Sequence, residues 1–231
     1  MCVVSFFKTE QGFFFTSNRD EKNNRPTIHP KIYTHKNQRF IYPKDVEKGG
    51  TWFALDSHKK KVACLLNATG KQPDSVKKTS RGKVPIEYLI DEKIILSERF
   101  LHQTAPFTLI CIQFKNTLFL EEYNWNGEKL TLKVLDENAP HLWCSNTLYS
   151  LAEKERLGSL FASQVQGLTT TKKTIDFHKS IAQNANNNVF IKKDNTLQTV
   201  SVTCLYGRKI GETITYENLI NCSTNTLTTT S

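Results

Sequence analysis

Short apolar runs rich in β-branched residues dominate the chain, set apart by polar segments that carry glycine or proline. Residues 2–7 and 13–17 are apolar and β-prone. The polar segment 8–12 between them predicts a hairpin, so the chain enters a sheet from its second residue. Residues 22–48 are polar and hold Pro26, Pro30 and Pro43, which predicts a long irregular excursion. A second strand pair is predicted over 51–56 and 61–67, then a loop over 68–83. A helix should follow from about Pro85, where proline suits a first turn. Segments 107–114, 117–123 and 129–135 predict a meander that turns at Asn126-Gly127, and 142–145 a short further strand. Helical spacing appears over 150–166 and 174–184, with Leu151, Leu157, Leu160 and Phe161 along one side of the first. Segments 200–206 and 212–217 read as a last hairpin. The Ser/Thr/Asn-rich stretch 221–231 predicts a disordered tail. Strands, then helices, then strands, without regular βαβ alternation, predict an α+β protein. Its sheets should be antiparallel, with helices segregated onto their outer faces, in one domain over residues 1–220.

Composition narrows the class. Of 231 residues, 38% are hydrophobic and 23% charged, a globular balance. No apolar run approaches the roughly 18 residues of a membrane-spanning helix, and the first residues lack the charged region and cleavage site of a secretory signal. A cytoplasmic location is expected, and the protein should not be an integral membrane protein. Cys64, Cys111, Cys144 and Cys204 lie inside apolar or β-branched runs with no C-x-x-C pair, so they read as reduced core thiols. The net charge of +9 favours anionic partners, although a solvated basic surface is the plainer reading. The Lys and Arg residues are spread along the chain without interleaved aromatics, which argues against a specific nucleic-acid platform. None of the six histidines pairs at metal-ligand spacing, so no metal site is expected; any single one is a candidate ligand for haem iron.

The candidate chemistry begins at Cys2. Loss of the initiator methionine would leave a thiol and a free α-amine on one residue. Their reference pKa values, about 8.5 and about 7.7–8.0, make the amine a workable base for the adjacent thiol. Asn18-Arg19-Asp20-Glu21 follows the second predicted strand, which returns toward the start of the first. A carboxylate there is placed to hold the amine, and an arginine to orient substrate. Gly49-Gly50-Thr51-Trp52 allows close backbone approach. Asn67 and Ser145-Asn146 end strands, where side-chain amides suit an oxyanion. Taken singly, each has a plainer reading: a packed strand thiol, a charged strand exit, turn formers.

Taken together, Met1-Cys2, Asn18-Arg19-Asp20-Glu21 with Arg25-Pro26, Gly49-Gly50-Thr51-Trp52, Asn67, Ser80-Arg81-Gly82 and Ser145-Asn146 resemble the NRDE family, also called the transport and Golgi organization protein two family. The motifs cover about residues 1–150, and the strand pattern continues to about 217. That family is similar in turn to the N-terminal nucleophile hydrolases. The resemblance implies a four-layer αββα sandwich, with Cys2 as nucleophile and its own amine as base. It implies that Asp20 holds that amine, that Asn67 and Asn146 position the oxyanion or substrate, that Arg19 orients substrate, and that Gly50, Thr51 and Trp52 line its site. Two departures stand out. The family's late Thr-Arg-Ser-Ser-Thr-like stretch falls near 197–203, which here has no arginine and reads Gln at 198. A family asparagine is replaced by Thr108. Two functions remain open. One is a hydrolase or acyltransferase acting on a linear amide (C–N) or related acyl bond of a small molecule, with no cofactor. The other is a non-catalytic protein that binds or carries haem or acyl lipids in the same pocket.

Overall fold

The computed structural model describes residues 3–74, 78–185, 197–208 and 211–230, so Met1 and Cys2 lie outside the described residues. The strands form two antiparallel sheets, and the chain divides into two compact units that each contain one of them. The first unit comprises residues 1–26 and 138–231, the second 27–137. Elements are numbered in chain order.

In the first unit, β1 (Val3–Thr9), β2 (Gly12–Lys22), β10 (His141–Cys144), β11 (Leu197–Arg208), β12 (Gly211–Asn218) and β13 (Ser223–Thr230) build a sheet ordered β10-β1-β2-β11-β12-β13. The β1–β2 hairpin is the predicted one, with Thr9 opposite Gly12. Gly12 is required there because a Cβ would sit 2.0 Å from the carbonyl oxygen of Gly207 on β11. Two helices, α4 (Leu151–Gln164) and α5 (Thr171–Ala185), share one core with a face of this sheet: Leu157, Phe161 and Ile181 pack with Phe7, Phe14 and Val202. Burial of each such side chain contributes about 1.5–3 kcal/mol. The start of α4 is written locally: the Ser150 hydroxyl accepts from the Glu153 N–H, while the Glu153 carboxylate accepts from the Ser150 N–H at 2.7 Å. Leu157 and Phe161, four residues apart, are buried as expected, and Leu160 packs against the same core. Leu151 is 72% exposed, contrary to the expected stripe, because it occupies the first helical position beyond the reach of the sheet.

Residues 223–230 are not a disordered tail. They form β13, paired with β12 from Asn218↔Ser223 to Gly211↔Thr230. Five threonines in an edge strand satisfy the pleat through β-branching rather than hydrophobic alternation.

In the second unit the sheet runs in chain order: β3 (Thr27–His35), β4 (Gln38–Asp45), β5 (Phe53–Asp56), β6 (Lys61–Asn67), β7 (Phe107–Gln113), β8 (Phe119–Trp125) and β9 (Leu130–Leu135). Three short helices, α1 (Val84–Ile90), α2 (Glu92–Leu96) and α3 (Glu98–His102), occupy the connection from β6 to β7. Pro85 lies in the first turn of α1, and Tyr88 of that helix meets Tyr123 of β8 edge-on at 5.7 Å. Much of the expected irregular stretch 22–48 is the β3–β4 hairpin. Its two-residue turn, Lys36-Asn37, takes left-handed φ values of 47° and 62°, the geometry of a type I′ turn reached without glycine. Pro30 is accommodated where the β3–β4 register shifts, on an edge strand that needs no donor there.

Cys64, Cys111 and Cys204 are buried free thiols and Cys144 is half-buried, in agreement with the sequence reading. No helix among the described residues is long and apolar enough to cross a membrane.

Candidate functional site

Each residue of Asn18-Arg19-Asp20-Glu21, on the second half of β2, has a side-chain partner, and Arg25 serves two of them. Asn18 is buried. Its Nδ2 donates to the carbonyl of His178 at 3.1 Å, and its Oδ1 lies 2.6 Å from His178 Nδ1. That amide orientation requires the proton on Nδ1, which leaves Nε2 as acceptor for the Ser5 hydroxyl at 2.7 Å. Arg19, 3% exposed, donates to the carbonyl of Arg25 at 3.4 Å. Asp20, 5% exposed, accepts from the Thr199 hydroxyl at 2.5 Å. The Glu21 carboxylate holds the Arg25 guanidinium at 2.6 Å. Arg25 thus closes the segment onto itself, and the motif reads as a strand exit tied to three residues, His178, Arg25 and Thr199.

A β-bulge gives Thr199 its role. Thr199 pairs with Asp20 and Ser201 with Arg19, so Val200 is the extra residue on β11. Paired residues share a face of the sheet, and neighbours along β2 alternate. Thr199 therefore points with Asp20, and Ser201 with Arg19. Without the bulge both would lie on one side. Ser201 and Thr203 are fully buried, and their hydroxyls have no hydrogen-bond partner among the described residues. Thr203 pairs with Ser17, which puts it on the face of Arg19 and Ser201. These residues were not singled out from the sequence. The signal that could have marked them is the strict alternation Thr199-Val200-Ser201-Val202-Thr203, with its polar members on a strand that is otherwise buried.

This polar set stands at the end of the first sheet where β1 begins. Val3 pairs with Cys144, and Val4 with Ser17. Asn146 belongs to the same end, two residues past Cys144; it is exposed and its Oδ1 accepts from Lys154. Arg19, Asp20 and Asn146 therefore belong to the same end of this sheet, with Arg19 and Asp20 on opposite faces of β2, while Cys2 itself lies outside the described residues. Asn67 and Gly50-Thr51-Trp52 belong to the second unit. Asn67 ends β6 opposite Phe107. Gly50 is packed against the backbone of Gly82, which a Cβ would meet at 2.8 Å, and Thr51 N–H donates to Gly82 carbonyl at 2.9 Å. Gly49-Gly50-Thr51-Trp52 and Ser80-Arg81-Gly82 are thus two halves of one backbone contact. The Thr51 hydroxyl donates to the carbonyl of Phe53 at 2.8 Å, and Trp52 is buried, so the contacts seen for this segment are packing contacts.

The two departures from the family pattern have local counterparts. Gln198, at the missing arginine, pairs with Glu21, whose carboxylate already carries the Arg25 guanidinium. Thr108 accepts from Nδ2 of Asn124, its direct partner on β8, at 3.0 Å, so a side-chain amide is supplied across the strand pair.

Electrostatics sort the nucleophiles. Burial holds the thiols of Cys111 and Cys204 well above their ordinary value, Cys204 at about 12. Burial also pushes Cys144 up to about 12; nearby Lys154 opposes the shift, and Asp20 and Glu153 reinforce it. All three are protonated near neutral pH and poor nucleophiles. His178 is fully buried, and burial drives its pKa from 6.5 to about 3. With both ring nitrogens engaged, His178 is withdrawn from the histidines open to a haem iron. Among the described residues, no three His, Cys, Asp or Glu side chains gather as a metal site.

Two antiparallel sheets with a few helices define an α+β protein. Residues 1–215 match the transport and Golgi organisation 2 family, and the chain belongs to it. A comparison with curated proteins finds no match.

Proposed function

We propose that this chain is an N-terminal-nucleophile hydrolase or acyltransferase acting on a linear amide or related acyl bond, with mature Cys2 as nucleophile. The observation that carries the reading is the buried polar set beside the start of β1. Val3, the residue joined to Cys2, begins a strand flanked by the β2 segment that holds Arg19 and Asp20. Beyond β2, two fully buried hydroxyls on β11 face the side of Arg19 with no partner among the described residues. Leaving such a hydroxyl unpaired costs about 1–3 kcal/mol. A fold that retains two of them at one strand end gains when an acyl carbonyl or carboxylate accepts from them.

Once Met1 is removed, the α-amine of Cys2 takes the thiol proton, and the sulfur attacks the carbonyl carbon. The C–N bond breaks, the departing nitrogen takes the proton from the ammonium, and a thioester remains. Water then attacks the thioester, the same amine mediates the proton transfer, and acid and thiol are released. Asp20 holds the ammonium, Arg19 and Ser201 orient the substrate, and Asn146, whose oxygen is taken by Lys154, presents its N–H groups to the oxyanion.

The test is the intact mass of untagged protein before and after a panel of acylating probes, with Cys2→Ala alongside. Loss of Met1 with an adduct present in the wild type and absent from Cys2→Ala is the expected result. A retained Met1, or an adduct indifferent to Cys2→Ala, removes the mechanism.

A further inference from the structure

β9 is the outer strand of the second sheet, and it pairs with β8 in unbroken register from Leu130 to Leu135. The turn before it shows which backbone groups it leaves open. The Asn126 N–H donates to the Lys129 carbonyl at 3.3 Å, so 126 and 129 form a hydrogen-bonded pair. Bonding alternates along an antiparallel pair, so Thr131 and Lys133 direct their backbone groups at β8, while Leu130, Leu132 and Val134 turn theirs outward. The side chains of these three residues share one face, where Leu132 is 51% and Val134 71% exposed. Lys133, on the opposite face, has Glu122 as its direct partner on β8. Among the described residues, the other sheet edges are blunted. β3 carries Pro30, a register shift and an exposed Lys31; β10 has 4 residues; β13 is Ser, Thr and Asn apart from Leu227. β9 is thus a regular, apolar edge with an open row of donors and acceptors.

We infer that β9 is the interface of a two-fold dimer, in which a second copy of this chain adds its own β9 antiparallel to the first. The occupant of such an edge must itself present an open backbone and apolar side chains on the matching face, and β9 meets both conditions. Antiparallel pairing of a strand with its own copy is self-complementary about a two-fold axis. The side chains select the register. With Leu132 opposite Leu132 of the second copy, Leu130 meets Val134 on either side, and every outward backbone group is paired. Lys133 then lies opposite Thr131. Sliding the copy one way sets Lys133 directly against Lys133, which like charges disfavour. Sliding it the other way sets Val134 against Glu128, and a one-residue slip puts the apolar side chains on opposite faces. The chain's positive charge does not oppose this seam, because Glu121 and Glu122 on β8 offset Lys129 and Lys133. The interface uses no residue of the acyl site.

Sedimentation velocity of the full chain across a concentration series should show a reversible monomer–dimer equilibrium in the micromolar range, as a short interface implies. Leu132→Lys and Leu132→Glu should each weaken the dimer by about tenfold or more, because each sets like charges on the two-fold axis. Mixed in equal amounts, the two variants should recover it as a heterodimer. Misfolding of either variant would not give that result, and the recovery requires residue 132 to face itself. Hydrogen exchange on the wild type reads the backbone directly. The amides of Leu130, Leu132 and Val134 should slow as the protein is concentrated, and those of Thr131 and Lys133 should not change. A wild type that stays monomeric across the series overturns the inference and leaves the edge to a strand from another protein. A dimer indifferent to the Leu132 variants, a mixture of folded variants that stays monomeric, or exchange at 130, 132 and 134 that ignores concentration overturns it as well.

Discussion

Lowering the pH should weaken the first unit through one residue, His178. Its imidazole is fully buried, and in the neutral ring Nδ1 donates to Asn18 while Nε2 accepts from Ser5, so both partners are satisfied without a charge. Burial depresses its pKa from 6.5 to about 3. In the unfolded chain the ring takes a proton near pH 6.5, whereas in the folded chain it does not. The stability this provides is complete above that pH and is lost as pH falls from 6.5 toward 3, then levels off. The full loss is on the order of 5 kcal/mol, from about 1.4 kcal/mol for each tenfold difference in proton affinity between the unfolded and folded chains. At pH 5 the loss is about 2 kcal/mol, and it depends only on the unfolded-state value while the native ring remains neutral. Urea unfolding followed by circular dichroism at pH 7.5 and 5.0 measures it, with His178→Gln as the non-titrating reference that cancels the carboxylates. The advantage of the wild type over His178→Gln should shrink by about 2 kcal/mol between the two pH values. An advantage that does not change with pH, or a His178 proton resonance titrating near pH 6.5 in the folded protein, refutes the reasoning.

Two other perturbations test the local arguments. Thr199→Val leaves the buried Asp20 carboxylate without its hydroxyl donor and should destabilise by about 1–3 kcal/mol, with Thr199→Ser recovering most of that loss in the same urea assay. Gly50→Ala places a methyl 2.8 Å from the backbone of Gly82; it should lower stability by about 1–3 kcal/mol in thermal melts, with no relief available from a flexible side chain.

Local rules made much of the fold legible. The hairpin of β1 and β2, the strands over 61–67 and 107–113, and the start of α4 depend on neighbours a few residues apart: unbroken apolar runs buried on both faces, a turn, a serine and a glutamate three positions on. The β3–β4 hairpin escaped because its turn uses Lys36 and Asn37 where glycine would have signalled it, and because prolines at 30 and 43 suggest interruption. The β13 strand escaped because an edge strand of threonines has no apolar face to alternate. The candidate site was legible as residue types in Asn18-Arg19-Asp20-Glu21 but not as contacts.

What the sequence determined by itself is whatever short-range sterics and hydrogen bonding decide: where strands alternate, where helices start, which motifs are present. Tertiary structure alone decided who meets whom. Ser5 and Asn18 lie 173 and 160 positions from His178, and no periodicity links them. Thr199 reaches Asp20 across 179 positions only because one extra residue in β11 turns it to that face. Such partners follow from strand order and register, which are set by summed burial over a whole sheet rather than by any local preference of the residues that finally touch.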